Sequence, residues 1–161
     1  MIKMIAAVSN DLAIGKDNKL LWHIPKDLEW FKRYTTGKTV VMGSKTWESL
    51  PESVRPLPDR KNLVLSREPD VVFIGAQTVT FEQVIELAAT EEIVVIGGGE
   101  VYKLFLRYAD ELSITRVNIE VPDADTHFPE FKDEFEIDER VWSGRCPTSD
   151  LVFAIETFVR K

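Results

Sequence analysis

Short apolar runs separated by short amphipathic stretches constrain what this chain can become more than any other feature. The runs are MIKMIAAV at the start, KTVVMG ending at Gly43, NLVLS at 62–66, VVFIG at 71–75, EIVVIGGG at 92–99 and LSITRVNI at 112–119. Between several of them lie helical patterns at 25–34, 44–50, 80–89 and 99–109. Near-continuous apolar strands are buried on both faces, and their alternation with helices predicts a largely parallel α/β sheet. The last part changes character: FEIDERVWSG and SDLVFAIETFVR are strand-like with no helix between them, which predicts a terminal antiparallel hairpin edge. No repeat, low-complexity segment or linker interrupts the pattern. Residues 1–161 are therefore expected to form a single α/β domain, a central twisted sheet flanked by about four helices.

A chain of 161 residues can bury roughly 70% of its unfolded surface, so a full-sized core is available. With 44% hydrophobic and 29% charged residues it is not a disordered chain. A net charge of −7 disfavours general affinity for nucleic acid or anionic membrane, so an anionic ligand needs a local basic cluster. The N-terminus has only a short apolar run broken by Lys3, unlike a signal peptide, and no run approaches a membrane span. Cys146 is the one cysteine, which excludes an internal disulfide and fits a free structural thiol in the reducing cytoplasm. His23 and His127 are the two histidines, and no zinc-like spacing occurs, so no metal is expected.

Glycine-rich strand ends carry the first chemical signal. VVIGGGEVY places Gly97, Gly98 and Gly99 between a buried strand and a helix, where backbone N–H groups can approach a phosphate, or where the chain merely turns tightly. It does not complete the dinucleotide fingerprint, because Tyr102 stands where the third glycine would be. VVMGSKTWESL repeats the arrangement with Gly43, Ser44, Lys45 and Thr46, although Ser44 is equally readable as a plain helix cap. VLSRE ends a third strand on Ser66 and Arg67. Ligands collect at the carboxyl ends of parallel strands, so these stretches are expected to line one crevice for a phosphate-bearing ligand. Two connections are long: residues 9–23, expected to be a lid, and the proline-rich 51–59, expected to be irregular but stiff.

IPKDLEWF, residues 24–31, poses a different question. Pro25 reads as the first residue of a helix, and Asp27 lies one turn before Phe31 on the side that should face the core. An acid at the third helical position is favoured by the free N–H groups there, so these eight residues alone favour a structural role over a functional one.

Taken in order, MIAAVSNDLAIG, LLWHIPKDLEWFK, VVMGSKTWESL, LPDRKNLVLSR, IVVIGGGEVY, LSITRV and DTHFP resemble bacterial-type dihydrofolate reductase along nearly the whole chain. The resemblance implies hydride transfer from NADPH to C6 of dihydrofolate with a proton delivered to N5, and so a supply of tetrahydrofolate for one-carbon metabolism. It reverses the odds on Asp27, implying the single carboxylate of an apolar pterin pocket, with Thr115 as its hydroxyl partner. Ile5, Ala6, Ala7 and Ile96 are implied as the floor of the pterin and nicotinamide pockets. Leu28, Phe31, Leu50 and Leu57 are implied as walls around the p-aminobenzoyl ring, and Arg60 as the fork for the glutamate carboxylate. Leu20 and Trp22 would belong to the catalytic lid, with Tyr102 near the nicotinamide.

On the cofactor side the resemblance implies Ala7, Ile14, Gly15, Gly43 to Thr46, Leu65, Ser66, Arg67 and Ile96 to Tyr102, including Gly98, Glu100 and Val101. Lys45 and Arg67, with Ser66, would select NADPH over NADH. Ser44 departs from the basic residue often found at that position, and Glu100 is an acid beside the glycine turn. The segment 50–58 is a few residues longer than in the shortest bacterial versions. Antifolate inhibitors are implied ligands, and a monomer is the implied state. A related pterin or pyrimidine reductase and a non-catalytic nucleotide-binding module are the alternative readings.

Overall fold

The computed structural model describes residues 1–17 and 20–161; Asn18 and Lys19 of the expected lid lie outside the described residues. An eight-stranded sheet runs through the molecule. Its strands in chain order are β1 (Ile2–Val8), β3 (Thr39–Gly43), β4 (Lys61–Leu65), β5 (Gln77–Val79), β6 (Ile93–Gly97), β7 (Glu111–Val117), β9 (Phe135–Arg145) and β10 (Val152–Arg160). Across the sheet the order is β5-β4-β3-β6-β1-β7-β10-β9, parallel as far as β7 and antiparallel from there to the edge. The expected parallel sheet with a terminal hairpin edge is what forms. A smaller antiparallel pair joins β2 (Ala13–Gly15) to β8 (Thr126–His127).

The helices are α1 (Pro25–Thr35), α2 (Ser44–Ser49), α3 (Phe81–Ala88) and α4 (Gly99–Phe105). A strand's side chains alternate between faces, and the apolar runs divide accordingly. Met4, Val41, Leu63 and Val95 pack with Val84 of α3 and Phe105 of α4. Ile5, Val40, Met42, Val64 and Val94 pack on the other face with Tyr34 of α1 and Trp47 of α2. Burial on both faces explains why these strands read as unbroken apolar runs rather than as alternation.

Two local expectations are corrected, and one connection carries more regular structure than its sequence suggests. VVFIG at 71–75 is not a strand: β4 is instead paired by Gln77–Val79. Val72 and Ile74 are 81% and 90% exposed, Phe73 stacks edge-on against Trp47 at 6.4 Å, and Gly75 turns with φ +96° against Pro56. That stretch is thus anchored by one aromatic and a turn, and an apolar run alone does not make a strand. The helix expected at 99–109 ends at Phe105 and tightens into a 3-10 turn over Leu106–Tyr108. The 9–23 connection contains a strand, β2, and is tied down beyond it. The Lys16 ammonium pairs with Asp123, the Asp17 N–H donates to Asp125 Oδ2 at 2.9 Å, and the Asn10 N–H donates to Ile119 O at 2.9 Å.

Two other features fix local structure. Thr80 and Gln83 form a reciprocal cap at the start of α3 (3.2 and 2.8 Å). Glu156 of β10 is 1% exposed yet ionised in character, because Arg116 and Arg140 donate to its two oxygens at 2.5 and 2.9 Å. Burial pushes its carboxyl upward, but the two guanidinium partners outweigh that and hold it below its ordinary value.

Candidate active site

α1 begins at Pro25, but its N-cap is Ile24 and no side chain caps it. The Asp27 carboxylate therefore sits in the first turn without making a capping bond. It reaches across to β7, where the Thr115 hydroxyl donates to Oδ1 at 2.5 Å, and Oδ2 accepts nothing from the described residues. Burial raises the Asp27 carboxyl above its ordinary value, and the Thr115 hydrogen bond offsets this only in part. An acid that the fold makes costly to ionise thus keeps an oxygen to which no described residue donates. Thr115 is buried and pairs in register with Ala7 of β1, so Asp27 is bonded to the strand beside the one that carries Ile5, Ala6 and Ala7.

Tyr102 of α4 is tied to β1 as well. Its phenol is buried and donates to the Ile5 carbonyl at 2.6 Å; burial first, and the Asp27 charge second, keep it protonated. Phe31, Leu50, Leu57, Ile5 and Ile96 meet in one apolar cluster. Leu28, one residue along from Asp27, remains 45% exposed at the rim. Arg60 stands with its guanidinium already oriented: Nε donates to Pro58 O at 2.8 Å and Nη1 to Thr35 Oγ1 at 3.0 Å. Nη2 and the second Nη1 hydrogen are left to grip a carboxylate end-on. Leu20 is exposed, and Trp22 packs beside Ile24, Val117 and Phe153.

A hollow of about 1340 Å³ lies at the carboxyl ends of β3, β4 and β6. Gly43, Ser44, Lys45, Thr46, Leu65, Ser66, Arg67, Gly98, Gly99, Glu100 and Val101 line it, so the three strand ends do converge. Two of the glycines are required, one by conformation and one by space. Gly97 holds φ +134°, and a Cβ on Gly99 would stand 2.8 Å from Thr126 Cγ2. Ser44 does not cap α2; Gly43 occupies that position without a side-chain bond. A long cleft with glycine walls, the cations Lys45 and Arg67 and the hydroxyls of Ser44, Thr46 and Ser66 fits a phosphate-bearing dinucleotide. Of the remaining expected cofactor residues, Ala7, Ile14, Gly15, Ile96, Gly97 and Tyr102 do not line this hollow; they lie in β1, β2, β6 and α4.

The dihydrofolate reductase family model matches residues 1–160. The chain belongs to the dihydrofolate reductase family. It is 47% identical over 131 residues to the dihydrofolate reductase of Neisseria gonorrhoeae, covering 80% of this chain and 79% of that one. It is 44% identical over 133 residues to that of Bacillus subtilis, covering 81% and 77%. A solved dihydrofolate reductase from Enterococcus faecalis, complexed with NADP(H) and RAB-propyl, superposes with a TM-score of 0.89 at 32% identity, over 100% of this chain and 96% of that one.

Within the family frame, the cleft has a part that sequence reasoning missed. Thr80, Phe81, Glu82, Lys103, Leu104, Asp125, Thr126 and His127 also line it. Thr126 and His127 were legible as part of DTHFP, whose β8 packs on Gly99. The start of α3 carries no comparable motif. The lining also mixes signs: Glu82, Glu100 and Asp125 face Lys45, Arg67 and Lys103, and Lys103 pairs with Glu100 at 3.7 Å.

Proposed function

We propose that Asp27 is the acid that grips the pterin of 7,8-dihydrofolate, and that residues 1–161 act as one catalytic domain for the family's reaction, NADPH-dependent reduction to tetrahydrofolate. The observation that carries this reading is the half-buried Asp27 carboxylate, bonded by Thr115 and with an oxygen uncommitted. Oδ2 and the remaining lone pairs of Oδ1 can accept parallel hydrogen bonds from the pterin 2-amino group and N3–H, which would favour the ionised acid that burial alone disfavours. Bound at that edge, Asp27 is committed away from N5, so water carries the proton there.

NADPH, when bound, supplies the hydride that reaches C6. Gly43 to Thr46 and Gly97 to Val101 would hold its pyrophosphate, and Lys45, Ser66 and Arg67 its 2′-phosphate, while Ile14, Gly15 and Leu20 of the lid cover the nicotinamide end. Ile5, Ala6, Ala7 and Ile96 orient the two rings over the sheet, and Trp22 and Tyr102 help to exclude water. Leu28, Phe31, Leu50 and Leu57 enclose the p-aminobenzoyl ring, and Arg60 takes the glutamate carboxylate.

Mixing the purified chain with NADPH and dihydrofolate and following cofactor absorbance tests the reading: substrate-dependent oxidation is expected, and none at any pH overturns it. Antifolates that present two adjacent N–H donors would compete for Asp27. The chain works as a monomer in the cytoplasm, with a buried free thiol at Cys146 suited to a reducing compartment; light scattering and cell fractionation test the two statements.

A further inference from the structure

Asn62 is 4% exposed in β4, a strand whose other inner residues are Leu63 and Val64. A carboxamide is a poor strand former and costly to bury unless each polar atom is paired. Its pairing is directed at one place. Oδ1 accepts from Leu57 N–H at 2.9 Å, and Nδ2 donates to Leu57 O and to Arg60 O, each at 3.0 Å. One amide thus holds the backbone of both the Leu57 wall and the Arg60 fork. Arg60 is fixed again at its tip by Pro58 O and Thr35 Oγ1.

We propose that Asn62 is a positioning residue for the substrate's carboxylate-bearing tail, acting through Leu57 and Arg60 without touching the substrate. This rests on the dihydrofolate reading of the site. A guanidinium gives its full gain only when its fork meets both carboxylate oxygens, so a shift in the Arg60 backbone weakens tail binding. The reducible ring would lie at Asp27, on α1 and β7, neither of which the Asn62 side chain bonds.

The test compares two substrates with NADPH: dihydrofolate, and a dihydropterin carrying only a methyl group at C6 and no tail. Asn62→Asp keeps the shape but sets a carboxylate against Leu57 O and Arg60 O; Asn62→Ser keeps a small hydroxyl and tests the same bonds should the first variant not fold. Each is expected to raise the KM for dihydrofolate about tenfold with little change in kcat. Activity toward the tailless pterin is expected to stay within about twofold of the parent. A dihydrofolate KM like the parent's, a parallel loss with both substrates, or failure of both variants to fold overturns the proposal. Inactivity of the parent chain toward dihydrofolate would instead remove the functional reading on which it rests.

Discussion

Asp27 shows what a short motif can and cannot convey. The residues around it favoured a helix-end role over a ligand role, and the choice rests on a partner 88 positions away, Thr115, which no local pattern announces. Because burial raises its carboxyl, the folded ligand-free chain holds the Asp27 proton to higher pH than the unfolded chain does. Its contribution to stability is therefore lost as pH rises from the ordinary value of 3.8 through the higher folded one. Asp27→Asn is expected to raise the melting temperature at neutral pH, with the gain shrinking as pH falls toward 3.8, in calorimetry across pH. The same variant should lower kcat/KM for dihydrofolate at pH 7 by about 10²- to 10⁴-fold and leave NADPH affinity nearly unchanged, measured by steady-state kinetics and cofactor titration. Arg60→Lys removes the planar fork but keeps the charge; KM for dihydrofolate should rise about tenfold at constant kcat.

Elements were legible where packing and pattern agreed. Strands buried on both faces produced unbroken apolar runs, and glycines marked the strand ends that converge on the cleft. VVFIG misled because its apolar content reflects Phe73 docking on Trp47 rather than sheet pairing. The ties between the 9–23 connection and residues 119–125 rest on single carboxylates and backbone groups, which leave no periodicity to read. Asp125→Ala frees the Asp17 N–H at one end of β2, and a several-fold change in kcat with little change in melting temperature is expected in paired kinetic and thermal measurements. Glu156 behaves oppositely to Asp27. Its carboxyl is held low, so its stabilisation is complete above the ordinary 4.5 and is lost as pH falls below that through the lower folded value. Urea unfolding of Glu156→Gln should show a smaller loss of stability on acidification than the parent.

For the molecule as a whole, charge sets how the cofactor arrives. The chain carries −7 overall, and the cleft's acids offset its cations, so an anionic dinucleotide is not drawn in from a distance and must be captured by short-range contacts. The NADPH association rate in stopped-flow mixing is expected to hold or rise modestly as salt is added, whereas a basic cleft would lose rate. The ends of the sheet have a different consequence. β5 stops after three residues, and the free margin of β9 carries exposed Glu136, Asp138 and Glu139, with Arg140 bound to Glu156 beside them. A stranger's backbone meeting either margin finds too few partners or a row of charges, so the path by which extended chains knit into fibres is closed at both sides.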